Sequence, residues 1–506
     1  MRAWLRPLLL VLGVIVLTWG AVVSHWLWRA HEPTSTDLVL GLLVLPALLV
    51  GGYVVFKLVL GSLLRPASAP AAQQPGGEAA VAGDAPQAAR PRLRLSVLGG
   101  SVCVAPGGAS ELLQACADGE RPALDERLRD ADGFPVMAAR VAAVDGMDAR
   151  EWWDSTGLEA ALPQGEAWVT SLPTARVREV RLLADVPVEA ATGVERQLVQ
   201  AAAAAADDAA PAAPSSTTAA ARRPTPGWPR VQVALLMGEA WPEDAQIPLN
   251  AWAQAWLAQA APALQFDVQA PGPLLAGAQP GVSWPEALFE IPAGQASGSE
   301  GLPAELWLLA AAHSAVDQAE VDRLAAIGQL YGPRRRDGLI VGEGAAALSL
   351  LRFHPERPAA FLAADALPAL AGMAVRPAAP GAAAERTGAM VTQVLAACGV
   401  TPDAVGKVLS DTDHRSSPAL EVGMLLSQHF PDLTLEKDCA MVGQPSGHTG
   451  GVAALASLAL AAEHAVQEQR GAMAVVVAEE RWRGAALLMP AGWLPPEASS
   501  SAAAGT

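Results

Sequence analysis

The sequence predicts a layered α/β protein held behind a pair of membrane-spanning helices. Three observations carry that expectation. Two long uncharged apolar stretches open the chain, segments rich in Pro, Gly and Ala punctuate the rest, and apolar strand-like runs alternate with helical ones from Leu306 to Pro490.

The first stretch, Pro7 to Trp28, contains no Asp, Glu, Lys or Arg and is long enough to cross a hydrocarbon core as a helix. Trp26, Trp28 and Arg29 follow it, as at a membrane interface, where a signal peptide would end in small residues. Leu38 to Phe56 forms the second span, with Lys57 placed to snorkel. Arg2 and Arg6 lie before the hairpin and Lys57, Arg65, Arg90, Arg92 and Arg94 at or beyond its end, while the connecting loop carries only Arg29 against Glu32 and Asp37. Positive flanks on one side place both termini in the cytoplasm, in a two-pass inner-membrane topology.

The expected organisation is a hairpin over 1–63, a tether over 64–92, an α/β piece over 93–200, a low-complexity linker over 201–226, a larger α/β piece over 227–494 and a tail over 495–506. The smaller piece opens with the strand LRLSVLGGSVCVAP, continues with the helical ASELLQACA and includes VREVRLLADVPV, which reads as strand. Whether the two pieces form one module or two is left open by the sequence.

Across its 506 residues the chain has a net charge of −17, which argues against a nucleic-acid partner, since neutralising phosphates takes clustered Lys and Arg. Cys103, Cys116, Cys398 and Cys439 are spaced neither as a disulfide framework nor as a metal site, and read as thiols in a reducing compartment. Trp241, Trp252 and Trp256 are open to two readings, an aromatic interaction face or core packing. Arg334, Arg335 and Arg336 make a basic turn, suited to an acidic partner or simply solvated.

Two motifs in order carry a family resemblance. Arg336-Asp337-Gly338-Leu339-Ile340-Val341-Gly342-Glu343-Gly344-Ala345 and, downstream, Ser446-Gly447-His448-Thr449-Gly450-Gly451 resemble two segments of the β-ketoacyl synthases, condensing enzymes of the thiolase-like fold. The resemblance implies a thiolase-like layered αβα region in which GLIVGEGAAALSLL supplies a central strand. It also implies a catalytic set of one acylatable cysteine, two histidines and a lysine. The cysteine belongs near residues 280–290, yet no cysteine lies between Cys116 and Cys398. The first histidine belongs near Ser410, counting from Glu421, and His414 is offset from it. The lysine position is Gly443, so of the four only His448 remains. Condensing catalysis requires a thiolate and two bases in one pocket, so the sequence predicts a scaffold without that activity. Asp411, Asp413, His414 and His448 are oxygen and nitrogen donors, but no metal-site spacing supports them, and neither a metal nor a cofactor is expected.

Anchor, tether and degenerate synthase-like region together resemble the proteobacterial type VI secretion lipase adaptor family. That resemblance implies a non-catalytic adaptor that binds a phospholipase effector and loads it onto the secretion spike protein. Two rival classes stand beside it. One is an acyl-binding or acyl-transfer enzyme using His448 with a nucleophile such as Ser283, and the other a structural subunit of a lipid-synthesis complex.

Overall fold

Strand connectivity divides the molecule into two halves of the same topology. The computed structural model describes residues 94–146, 148–208, 230–237, 241, 243–269, 305–353, 367–378, 383–479 and 482–493. All of these fall in one compact unit, 87–506. The expected spans, the 64–92 tether, Ser283 and the 495–506 tail lie outside the described residues. Among the described residues no helix is long and apolar enough to cross a membrane.

The first half runs β1 (Arg94–Val104), α1 (Ala109–Asp118), β2 (Ala123–Arg129), β3 (Pro135–Ala139), α2 (Ala149–Thr156), α3 (Gly165–Ser171), α4 (Thr174–Asp208), β4 (Val231–Met237), α5 (Glu243–Ala260), β5 (Phe266–Gln269), β6 (Glu305–Ser314), α6 (Gln318–Ala326) and β7 (Val341–Phe353). The second half runs β8 (Ala369–Pro377), α7 (Ala383–Cys398), β9 (Val405–Ser410), α8 (Ser416–His429), α9 (Leu435–Asp438), β10 (Cys439–Met441), α10 (Gly443–Ser446), α11 (Gly451–Gln467), β11 (Gly471–Val476) and β12 (Trp482–Met489).

The strand order is β10-β9-β11-β12-β8-β1-β7-β6-β4-β5, with β2 and β3 appended through β3 and β7. In the second half, the first strand β8 pairs antiparallel with the last, β12; β12 pairs antiparallel with β11; β9 pairs in parallel with β11 and with β10. The first half repeats each relation: β1 with β7, β7 with β6, and β4 in parallel with β6 and β5. Leu95 opposite Leu370 and Ser96 opposite Ala369 join the two. This is the pseudo-twofold arrangement of a thiolase-like unit, and β7 lies inside it between β1 and β6.

The sequence leaves open whether the smaller and larger pieces form one module; β1, from the smaller, pairs along its length with β7, from the larger, so the first half extends to Phe353. Two expectations fail here. Residues 201–208 of the expected linker 201–226 are the end of α4, and the rest of that segment lies outside the described residues. VREVRLLADVPV is helical as well, forming most of the buried first half of α4. From Arg178 to Pro187 every residue except Asp185 is buried, so no polar face recurs at helical spacing and the run imitates a strand.

Burial on both faces explains the apolar composition of the central strands, since a strand covered by helices on each side has no polar alternation to show. Helices α4 and α5 cover one face through Leu182, Leu249, Trp252 and Leu257. On the other face α11 packs Leu455, Leu458 and Leu460 against Val97, Leu348 and Leu488. Alanines make up much of α11, which lets the helix be buried nearly all round while backbones approach closely.

Candidate functional site

The two sequence motifs meet in space. His448 donates its backbone N–H to the Ile340 carbonyl at 2.8 Å, and Val341 and His448 form an isolated bridge. The approach is close enough to require glycine at the start of β7: a Cβ on Gly342 would stand 2.3 Å from the Ser446 carbonyl oxygen, and one on Gly344 would stand 2.7 Å from Val104 Cγ1. Gly447, at φ 66°, makes the turn that delivers His448.

Glu343, between those glycines, is fully buried. Its carboxylate accepts from Arg178 Nε at 2.7 Å, Ser314 Oγ at 2.9 Å and Val141 N at 2.8 Å, with a further bond from Arg178 Nη2. Beside it Glu179 accepts from Arg176 Nη1 and Trp241 Nε1, both at 2.6 Å, and from Ser314 N at 3.0 Å. Burial raises the Glu179 carboxyl, with Arg176 opposing it. These two carboxylates tie α4 to the ends of β6 and β7. They hold the fold and are enclosed within it.

His313, at the end of β6, comes to lie against His448, with ring centroids 5.9 Å apart, edge to face. The sequence reading missed it because nothing in the run ELWLLAAAH marks its last residue as a neighbour of residue 448. Burial pushes both imidazoles down to about 4, Arg176 adding to the effect on His313 and His313 to that on His448. Nε2 of His313 has no hydrogen-bond partner among the described residues.

The positions that the resemblance assigns to the other catalytic residues hold different side chains. Ser410, in place of the first histidine, is buried and shares a 2.6 Å hydrogen bond with the Thr412 hydroxyl. His414 packs edge-on against Tyr331 at 5.0 Å and takes no part in lining the cavity beside His448. At the lysine position, a Cβ on Gly443 would stand 2.4 Å from the Asp411 carbonyl oxygen. No side chain fits there. Cys103, Cys116 and Cys439 are pushed up to about 11, 12 and 12, chiefly by burial, the opposite of what an acylatable thiolate needs. None of the four cysteines lines the cavity.

That cavity is about 30 Å³, bounded by Asp411, Asp413, His448, Thr449 and Glu479 among others. It has room for a water molecule or two. The oxygen and nitrogen donors do not converge into a metal set among the described residues. Asp413 is held by Arg415 Nε at 2.8 Å, and Asp411 accepts from the backbone N–H groups of Val477 at 2.7 Å and Ala478 at 3.0 Å. Burial pushes Asp411 up to about 7.

The tryptophans are core residues, and the interaction-face reading is corrected accordingly. Trp241 and Trp252 are buried, and Trp256 is half-buried with its indole N–H donated to the Ala184 carbonyl at 2.6 Å. An alanine-rich helix such as α5 must bury large side chains against α4 to fill the space between them, and the indoles do so. Arg334, Arg335, Arg336 and Asp337 are exposed in the turn before β7.

The buried titrating groups set a pH dependence. Between pH 6.5 and about 4 the unfolded chain binds protons on His313 and His448 that the folded chain refuses, so stability falls on acidification across that window. Asp411 acts oppositely, holding a proton in the folded state from its ordinary 3.8 up to about 7, so its contribution declines as pH rises through that range. Each imidazole contributes at most about 1.4 kcal/mol per pH unit in favour of higher pH, and Asp411 and the buried Glu179 work against them. Urea melts at successive pH values check this, and His448→Gln should flatten the slope. An unchanged slope in that variant would remove the imidazole from the account.

No family model and no curated protein matches this chain. Among solved structures it is similar to the ishigamide ketosynthase/chain length factor, with 15% identity and a TM-score of 0.47 over 79% of this chain and 100% of that one. It is similar also to the ketosynthase from module 6 of the bacillaene synthase from Bacillus subtilis 168, with 13% identity and a TM-score of 0.48 over 78% of this chain and 72% of that one. A third is a β-ketoacyl synthase from Burkholderia phymatum STM815, with 12% identity and a TM-score of 0.45 over 79% and 99%.

Proposed function

We propose that this chain is a non-catalytic, protein-binding scaffold. The observation that supports the reading is Gly443, where the approach of the Asp411 carbonyl leaves no room for the family's lysine. The small cavity beside His448 agrees with it, since an acyl chain and an incoming nucleophile need far more space. The finer reading rests on the sequence resemblance: a two-pass inner-membrane protein with its α/β region in the cytoplasm, which binds a lipase effector and loads it onto the type VI secretion spike. In that reading the exposed turn Arg334 to Arg336 is the candidate contact. A chain of net charge −17 otherwise repels acidic partners.

The test is a pull-down from the source cytosol with the full chain in detergent. Capture of a lipase should survive His448→Ala and be lost in the triple variant Arg334→Ala, Arg335→Ala, Arg336→Ala, with unchanged melting for the latter. Loss of function in His448→Ala with normal folding and capture would overturn the scaffold reading.

One observation favours a second reading as an acyl-binding or acyl-transfer enzyme. His313 brings a second imidazole to His448, although the family's first histidine position holds Ser410. Intact-mass spectrometry after incubation with acyl-CoA distinguishes the two readings: an acyl adduct requires the enzyme, an unmodified chain the scaffold.

A further inference from the structure

Strand β1 has a partner along only part of its outer edge. On one side it pairs with β7 from Arg94 to Val104, whereas on the other it meets β8 only at Leu95 and Ser96, followed by the bond from Val97 N to the Pro368 carbonyl at 2.8 Å. A bulge at Leu98 interrupts the pairing with β7, and a bulge shifts by one residue which backbone groups face which side. Beyond it Val104 turns its N–H and C=O outward, where both bond Gly107, at 3.0 and 2.8 Å. By the alternation of an antiparallel strand, Gly100 and Val102 turn theirs the same way. Among the described residues no strand pairs with that edge between Gly99 and Val102.

A groove of about 700 Å³ runs along this edge, walled by α4 on one side and by α11 and the start of α1 on the other. Its acidic walls carry Glu111, Glu189 and Glu463, and no Lys, Arg or His is among its described lining. The Oε1 of Gln197, whose Nε2 donates to the Leu98 carbonyl at 2.7 Å, is a buried acceptor with no partner among the described residues. Val97, Leu98 and Val466 supply the apolar surface.

We infer that this groove binds an extended segment of a partner protein by strand addition to β1, the segment carrying Lys or Arg among small apolar residues. A free strand edge supplies main-chain hydrogen bonds to any extended chain, and the groove walls select the side chains. Acceptors and carboxylates without a cation favour ammonium or guanidinium groups over anionic side chains. The strand that fits is short, because Gly99 to Val102 spans only about 13 Å. This inference rests on the scaffold reading but uses a surface separate from His448 and the arginine turn.

The probe is a fluorescent peptide alternating Lys and Val, titrated into the full chain in detergent and compared with a Glu and Val peptide and with a Lys and Val peptide N-methylated at alternate residues. The first should bind, weaken as salt is raised, and protect the Gly100 and Val102 amides from hydrogen exchange. N-methylation and the double variant Glu189→Lys, Glu463→Lys should each weaken binding by at least about tenfold, with the variant's melting temperature checked beside it. Absence of binding, equal affinity for the Glu and Val peptide, or saturation without protection of those two amides would each overturn the inference. So would a concentration-dependent dimer abolished by the same double variant, which would assign the groove to a second copy. Failure here with lipase capture intact leaves the scaffold reading standing, whereas an acyl adduct removes that reading whatever the peptide does.

Discussion

Replacing Glu343 by alanine is expected to destabilise the fold by about 3–5 kcal/mol, because it leaves the Arg178 guanidinium buried without its main counter-charge. The carboxylate takes hydrogen bonds from two nitrogens of Arg178, from Ser314 Oγ and from Val141 N, so four donors lose their acceptor together. Asp145, 2.7 Å from Arg178 Nη1, remains as partial compensation and keeps the loss from being larger. Glu343→Gln should cost less, since an amide retains an acceptor oxygen. The double replacement Arg178→Met, Glu343→Leu should recover much of the loss, as apolar pairs of similar volume commonly do. Urea denaturation of all variants makes the comparison, with Glu320→Ala as a control: its pairing with Arg323 is on the surface, where ion pairs contribute little. Equal losses in the control and in Glu343→Ala would show that burial is not the cause.

The same logic recurs in the second half with the polarity exchanged. Arg483, near the start of β12, donates from Nε to Glu421 of α8 at 2.8 Å, and Thr387 of α7 donates to the same carboxylate oxygen. In each half a buried Arg and Glu pair holds the last strand to a covering helix. The resemblance placed Glu343 in a catalytic family's motif and Glu421 after its first histidine. In this chain both carboxylates are consumed by structural partners, so the fold alone accounts for their presence.

How much of this was legible depended on whether a residue's partners were near in sequence or recorded in a motif. Many of the strands and helices from Leu306 onward were readable because apolar runs are bounded there by Gly, Pro and charged turns, although β8 and α8 were not singled out. The two motifs were legible in their order, but their meeting at Gly342 and Gly447 was not. Helix α4 was not readable: its first half is buried almost all round, and Arg178 and Glu179, which an apolar strand would have exposed, are instead bonded inside the protein. Those interleaved charges were the available signal. His313 carried none, as its neighbour lies more than a hundred residues away in the chain. The repeated strand order was hidden too, because the first half carries an added hairpin, β2 and β3, and places the long α4 where the second has the shorter α7. The tryptophans misled in one direction, since residue type alone does not separate a core indole from an interface anchor.

Placing a lysine at Gly443, where the resemblance puts one, is expected to break the site rather than activate it. In Gly443→Lys the new Cβ would stand 2.4 Å from the Asp411 carbonyl oxygen and 3.0 Å from that of Thr412. Both obstacles are backbone, so relief requires α10 or the turn after β9 to move. That turn is pinned from the far side, because Asp411 accepts from Val477 and Ala478 and Asp413 is held by Arg415. Overpacking of a close contact typically costs about 1–3 kcal/mol, and a rigid backbone on both sides puts this case at or above the top of that range. Gly443→Ala meets the same oxygen and should show most of the loss, which separates the Cβ clash from the cost of burying an ammonium group. The measurement is a pair of melts for the two variants with acyl-CoA incubation alongside. A stable Gly443→Lys protein that becomes acylated would mean that the pocket opens in solution, and the scaffold reading would fall with that result.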